Sequence, residues 1–415
     1  MPTFPRWAQQ LLDRHPGEPA PLADGPIPPW LLEEARQRPL WYIIREASEV
    51  RTRHPFLVYD EIEKEPAQWR EILGTMEGDV ARVAKVIAAR GVDQAIFTGC
   101  GSAFFTAMHG AFTWSHYTPL RATAVESYEL SNYFPRVDPG RTLLVAHSGT
   151  GGSIETVEAL RAAKKKGLLT LALTNTDVSP VLDECDEALV YLTRQGCGPC
   201  ISVVSTRALV QTMLARQLAA TEADVASLDR SLQALPSAGE GFLADMSDRV
   251  RDFAGRRASD EAVFLVGSGP NYFSAREGTL KIEEQSGIVG KAYRAGDFHH
   301  DALSLLTPER LVVAIAASGH ANARIGDALR AAKAGGAPTL GVEYGQAGGL
   351  AGLADEVWHL QGDVDEYVAP VLLTLPFQLL GYSMGVARGR NPDTLATDNE
   401  ANVRAWLTSF PLGTH

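Results

Sequence analysis

Cysteine is scarce: four in 415 residues, too few to scaffold a chain of this size with disulfides. Two of them spell Cys197-Gly-Pro-Cys200, the spacing of a thioredoxin-type redox pair. Such a pair places its first cysteine at a helix N-terminus, where the dipole lowers the thiol pKa. Here Ile201-Ser-Val-Val follows and reads as extended, with a helix starting only near Ser205, so a plain loop is expected. No histidine stands beside the pair to complete a zinc site. Long hydrophobic runs are also missing. The stretch from Tyr367 to Leu380 is interrupted by Pro370, Pro376 and Gln378, and falls short of the roughly 20 residues that a membrane span needs. Met1-Pro-Thr-Phe-Pro-Arg-Trp lacks an apolar signal core, so the expected location is the cytoplasm, with no membrane partner.

Basic clusters are absent as well. No run of Lys or Arg exceeds Lys164-Lys165-Lys166, and 50 acidic residues against 38 basic ones give a net charge of -12. That excludes the basic stripe of a nucleic-acid binder. An anionic ligand must then be held by a local site against the overall field. What is present is ordinary for a globular protein: 45% hydrophobic and 21% charged residues, which excludes wholesale disorder and fibrous classes. The length allows two or three domains.

Eight of the 24 prolines precede Trp30, so Pro2 to Pro29 reads as a poorly regular arm. Amphipathic helices are expected from Trp30 to Val50 and from about Phe56 to Ala89, the latter broken at Glu65-Pro66. From Gln94 onward, short apolar runs alternate with helical segments at βαβ spacing, which predicts a mostly parallel sheet covered on both faces. Strands are expected at Gln94–Thr98, Thr142–Ala146, Leu168–Leu173 and Glu187–Leu192. The chain also repeats itself. Thr98-Gly-Cys-Gly-Ser-Ala recurs at Val266-Gly-Ser-Gly-Pro-Asn, Val145-Ala-His-Ser-Gly149 at Ile315-Ala-Ala-Ser-Gly319, and Arg161-Ala-Ala-Lys164 at Arg330-Ala-Ala-Lys333, at offsets of 168, 170 and 169. Two copies of one α/β domain follow, roughly 80 to 225 and 240 to 390, joined by a charged helix around Leu228 to Arg257.

Each copy has one strand ending in a Gly-rich turn that opens a helix and another ending in Ser-Gly. Helix N-termini offer unpaired N–H groups and a positive dipole end, and glycine lets the backbone close around an anion. In copy one the second loop is His147-Ser-Gly-Thr-Gly-Gly-Ser-Ile-Glu-Thr156, with hydroxyls at Ser148, Thr150, Ser153 and Thr156, and Ser102 of the first loop converges on it. Neither loop is a Walker loop or a full dinucleotide fingerprint. Copy two has His320-Ala-Asn-Ala instead, and is expected to keep the fold and lose the phosphate. In copy two, Glu277, Lys281 and Glu284 share a helix face at steps of four and three, and Tyr293 to Asp301 has the look of a turn and loop bearing His299 and His300. A carboxylate that moves a proton between adjacent carbons, with a histidine to open a sugar ring, is a minimal set for aldose–ketose chemistry.

The double Ser-Gly loops, Val204-Ser-Thr-Arg-Ala208, and Leu280-Lys-Ile-Glu-Glu284 followed by Ala295-Gly-Asp-Phe-His-His-Asp301 closely resemble the sugar isomerase (SIS) domain family. The likeness is to the isomerase half of glucosamine-6-phosphate synthase and to its stand-alone deaminase and deglycase relatives. It covers about residues 55 to 400, beginning with His54-Pro-Phe-Leu-Val-Tyr-Asp-Glu-Ile62. The resemblance implies an α/β fold of two tandem SIS domains, each a flavodoxin-like parallel sheet with helices on both faces, after an N-terminal helical extension. The expected division is 1–55, 56–235 and 236–415. It implies phosphate binding by Ser102, Ser148, Gly149, Thr150 and Ser153, with Gly101, His147, Ser205, Glu277 and Lys281 around the substrate. Glu284 falls at the family's proton-shuttling carboxylate and His300 at its ring-opening histidine. A homodimer with sites at the subunit interface is implied, with no metal or organic cofactor.

The departures narrow the activity. Ala103 and Ala146 replace hydroxyls of the synthase, and the second loop carries two extra residues. The chain shows no glutaminase domain. It also has no lysine after Lys333, whereas the synthase has a Schiff-base lysine near its C-terminus. The expectation is an aminosugar-6-phosphate deaminase/isomerase, with a fructosamine-6-phosphate deglycase or a non-catalytic sugar-phosphate sensor as alternatives.

Overall fold

The computed structural model describes residues 12–18, 27–37, 51–193, 198–317, 319, 321–345 and 349–409. Among the described residues ten strands, β1 (Gln94–Thr98), β2 (Arg121–Ala124), β3 (Thr142–Ser148), β4 (Leu169–Thr174), β5 (Glu187–Val190), β6 (Ala262–Val266), β7 (Val289–Tyr293), β8 (Arg310–Ala316), β9 (Thr339–Tyr344) and β10 (Glu356–Leu360), form two sheets. Their orders are β2-β1-β3-β4-β5 and β10-β9-β8-β6-β7, the same doubly wound order twice, and every neighbouring pair is parallel. β3 and β6 are buried along their whole length, as central strands covered on both faces must be. Four of the first copy's five strands, β1, β3, β4 and β5, lie where the apolar runs predicted them, to within two residues at either end, and the edge strand β2 is not among those expected.

Helices cover the sheets: α1 (Pro29–Gln37), α2 (Leu57–Thr75), α3 (Glu77–Arg90), α4 (Ser102–Tyr117), α5 (Ile154–Lys166), α6 (Ser202–Gln217), α7 (Glu222–Arg257), α8 (Asn271–Ser286), α9 (Ala295–Asp301), α10 (Asn322–Ala334), α11 (Thr374–Ala387) and α12 (Glu400–Ser409). The halves meet where α4 packs on α8, and α7 and α11 run together behind them. Among the described residues one stretch, Ala369–Ala387, is long and apolar enough to cross a membrane, but 94% of it is buried inside the protein. It packs against α7 and α8.

Three local expectations are corrected. α2 does not break at Glu65-Pro66: it runs through Pro66 and stops at Met76, next to α3. An interior proline costs a helix about 3 kcal/mol, but Pro66 is buried against Gly239 of α7, and Ile62 and Trp69 flank it in the core, so packing outweighs that cost. α6 starts at Ser202 rather than near Ser205, because Ser202 to Ala215 is buried on every side and tertiary contact overrides the strand preference of Val203-Val204. The segment after Tyr293 is a helix, α9, that turns Ala295 and Phe298 into the core. The expected Trp30–Val50 helix is present as α1, which packs on α12. Residues 38–50, Cys197 and His320 lie outside the described residues.

Candidate functional site

β1 and β3 are neighbours, yet the chain leaves β1 toward β2 and leaves β3 toward β4. The loops after these two strands therefore diverge at the carboxyl edge of the sheet and open a crevice between them. Gly101 precedes Ser102 at the start of α4. Ser148 ends β3, and Ser153 caps α5 with no side-chain bond of its own to that helix, so its hydroxyl is left 3.5 Å from that of Ser148. Both serines are buried. Thr150 Oγ1 accepts from the Gly152 amide at 3.3 Å and tightens the turn. Gly151 adopts φ 67° there and presses against Ser179, a position no side chain would tolerate. The hydroxyls of Thr174, at the end of the adjacent β4, and of Ser179 are buried without hydrogen-bond partners among the described residues. The result is a neutral cradle rich in hydroxyls at a helix N-terminus.

α8 supplies the charged half of the site. Glu277, Lys281 and Glu284 do share one face: Lys281 Nζ lies 3.3 Å from Glu277 Oε1 and 2.5 Å from Glu284 Oε2. Ser102 Oγ donates to Glu277 Oε1 at 3.2 Å, so the first loop of copy one is tied directly to this trio from copy two. Burial pulls the Lys281 amine down, but Glu284 and Glu277 outweigh it and hold the ammonium above its ordinary range. Glu284 is 21% exposed; burial raises its carboxyl above the usual value, and Lys281 opposes that rise. A carboxylate moved toward neutrality in this way is suited to exchanging a proton with carbon-bound hydrogen.

Behind the trio sits Glu65 of α2, fully buried and pushed up to about 8 by desolvation, with Glu61 and Glu277 adding to the rise. Ser205 Oγ donates to Glu65 Oε2 and accepts from Trp69 Nε1 at 2.9 Å. Ser205 is thus committed to this internal network. Two residues along α6 from Ser205, Arg207 Nε donates to Thr106 Oγ1 at 2.7 Å, and His147 Nδ1 stands 3.1 Å from the same hydroxyl. His147 is wholly buried beneath the loop. Desolvation and the Arg207 charge hold it well below its ordinary pKa, in the neutral form. His109 is pulled down to about 4 by burial; its Nε2 donates to the Tyr367 carbonyl at 2.6 Å, leaving Nδ1 to accept from Gln211 at 2.8 Å.

His300 lies apart from this cluster. Its ring is exposed on α9, and among the described residues no hydrogen bond or ion pair joins it to Glu284. Sequence reading also passed over Glu65, Thr106, Arg207 and Gln211. Arg207 alone left a signal, as the one charged residue between Val203 and Val210 and as part of Val204-Ser-Thr-Arg-Ala208. In copy two, the Glu366 carboxylate, from the segment after β10, packs against Gly319 of the loop after β8, the counterpart of Gly149. Among the described residues no group of three or more His, Cys, Asp or Glu is placed to hold a metal ion.

The SIS domain matches this chain twice, at residues 90–222 and 258–387. The glutamine–fructose-6-phosphate aminotransferase (isomerizing) of Pyrococcus horikoshii is 28% identical over 347 residues, covering 80% of this chain and 55% of that protein. The chain spans about half the length of the curated relatives it matches. Among solved structures, the C-terminal domain of glucosamine-fructose-6-phosphate aminotransferase from Francisella tularensis superposes with a TM-score of 0.75 at 19% identity, covering 82% of this chain and 98% of that one. Glucosamine-6-phosphate deaminase from Thermotoga maritima superposes with a TM-score of 0.62 at 20% identity, covering 81% and 96%. Two family matches on two sheets of one strand order, joined through Ser102 and Glu277, lead to one conclusion: the chain belongs to the SIS-domain family.

Proposed function

We propose that the protein is an aminosugar-6-phosphate deaminase/isomerase. The observation that supports this reading is the continuous contact from Ser102 through Glu277 and Lys281 to Glu284, which links the carboxylate assigned the proton transfer to a loop assigned the phosphate. Ser102, Ser148, Ser153, Thr150 and the Gly149 backbone hold the 6-phosphate. His300, delivered from a second copy in a homodimer, opens the sugar ring. Glu284 takes the proton from C2 of the open-chain aldehyde to give an enolamine and returns it to C1. The product is a C2 imine; water adds to it and ammonia leaves, giving the ketose phosphate. Lys281 stays an ammonium throughout and keeps Glu284 oriented. The resemblance to glucosamine-6-phosphate deaminase supports this choice of substrate class.

The test is to incubate the full chain with glucosamine 6-phosphate, with fructose 6-phosphate plus ammonia, and with a fructosamine 6-phosphate, following products by mass. Ammonia and fructose 6-phosphate from the first mixture are expected. Turnover of the third alone would transfer the reading to a deglycase. A melting temperature that rises with sugar phosphate while none turns over would make the protein a sensor.

A further inference from the structure

Arg207 is 2% exposed, and its guanidinium makes one hydrogen bond among the described residues, from Nε to Thr106. No carboxylate among the described residues pairs with it, and its near neighbours Thr106, Gln211 and His147 carry no negative charge. A buried cation with no counter-charge is strongly unfavourable unless something else supplies the anion. Its position shows from where. Val203 and Arg207 lie one turn apart on the face of α6 that meets the loop after β3: a Cβ placed on Gly149 would stand 2.9 Å from Val203 Cγ1 and 3.5 Å from Arg207 Nη1. The free end of the guanidinium therefore sits directly under the first glycine of the cradle that Ser148 and Ser153 line.

The second copy is built the opposite way. There the equivalent glycine, Gly319, faces the carboxylate of Glu366, and α11, from Thr374 to Ala387, carries no charged side chain. One loop lies over a cation lacking an anion, and its counterpart already holds a carboxylate.

We infer that Arg207 is the counter-charge of the ligand's phosphate, the residue that makes this cradle select a phosphorylated sugar over a neutral one; this rests on the proposed role of the 148–153 loop. A planar guanidinium suits a phosphate better than a point charge does. It also explains how a chain of net charge -12 holds an anion without a cluster of lysines.

The experiment measures binding of inorganic phosphate to the full chain by calorimetry, with melting temperatures recorded with and without phosphate. Arg207→Gln is expected to weaken phosphate binding roughly 10- to 100-fold. Without phosphate it should melt at the parent temperature or above, because it removes an uncompensated buried charge. Arg207→Lys keeps the charge and should stay within about tenfold of the parent. If the parent binds phosphate and Arg207→Gln binds it within twofold, the inference is overturned while the loop reading stands. If the parent binds none, both fall together. Arg207→Met serves should the Gln variant not fold. If neither neutral variant folds while Arg207→Lys does, the charge belongs to the fold and the inference is overturned.

Discussion

The loops after β3 and β8 sit at equivalent places in two sheets of one strand order, and they differ in what lies against their first glycine: Arg207 at Gly149, Glu366 at Gly319. Around the first, Ser148 and Ser153 bring hydroxyls together; the second keeps a serine at 318 but has His320-Ala-Asn-Ala where the first has Thr150 to Ser153. α8, in turn, bears the Glu277–Lys281–Glu284 trio, while α4, its counterpart after β1, contributes Ser102. Duplication kept the apolar framework, which any βαβ unit needs, and let the polar fittings diverge. In the proposed function, the two copies supply complementary halves of one site, one holding an anion and the other moving a proton.

The largest effect should come from the proton-moving half. Glu284→Gln is expected to cut turnover by about 10²–10⁴-fold while phosphate still raises the melting temperature. Activity within a few-fold of the parent would remove Glu284 from the shuttle. On the anion-holding half, Ser148→Ala combined with Ser153→Ala should raise KM about tenfold or more with a smaller change in kcat. An unchanged KM would mean that the anion sits elsewhere.

The seam between the halves is probed by pH. Folded Glu65 keeps its proton up to about pH 8, whereas it ionises near 4.5 when free in water. The folded chain therefore binds more protons than the unfolded chain across that window, and this stability is complete below about pH 4.5 and lost as pH rises through 8. His109, pulled down to about 4 from 6.5, acts in the opposite sense, its contribution fading as pH falls below 6.5. Between 6.5 and 8 Glu65 acts without that opposition. Melting curves of Glu65→Gln should decline less than those of the parent over this range, by about 2–5 °C; parallel curves would show that Glu65 ionises normally. The smallest effect is expected in the second loop, where Glu366→Gln should leave phosphate affinity within twofold of the parent. A marked gain there would show that both cradles are able to take an anion and that Glu366 blocks one.

Much of this was legible beforehand, for reasons of range. Four of the first copy's five strands, β1, β3, β4 and β5, are short apolar runs bounded by turn residues, so their pattern is local; the edge strand β2, Arg-Ala-Thr-Ala, has no such run to announce it. The spacing of Glu277, Lys281 and Glu284 along a single helix is local too, and the ion pairs form as that spacing requires. The misread points are those where packing overrules propensity: Pro66 inside α2, the β-branched start of α6, and the helical turn after Tyr293. The contact of Ser102 with Glu277 spans 175 positions and depends on how α4 meets α8, which no periodicity announces.

The sequence by itself determined the duplication, the parallel α/β class and the residue types available for anion binding and proton transfer, because these follow from periodicity and from local backbone chemistry. Whether Arg207 meets solvent or is sealed beneath a loop, whether Glu65 ionises at 4.5 or at about 8, and whether Ser102 reaches the second domain were decided only by the tertiary structure. Burial and the identity of distant neighbours set the dielectric surroundings and partners of a charged group. Those are properties of the packed chain as a whole.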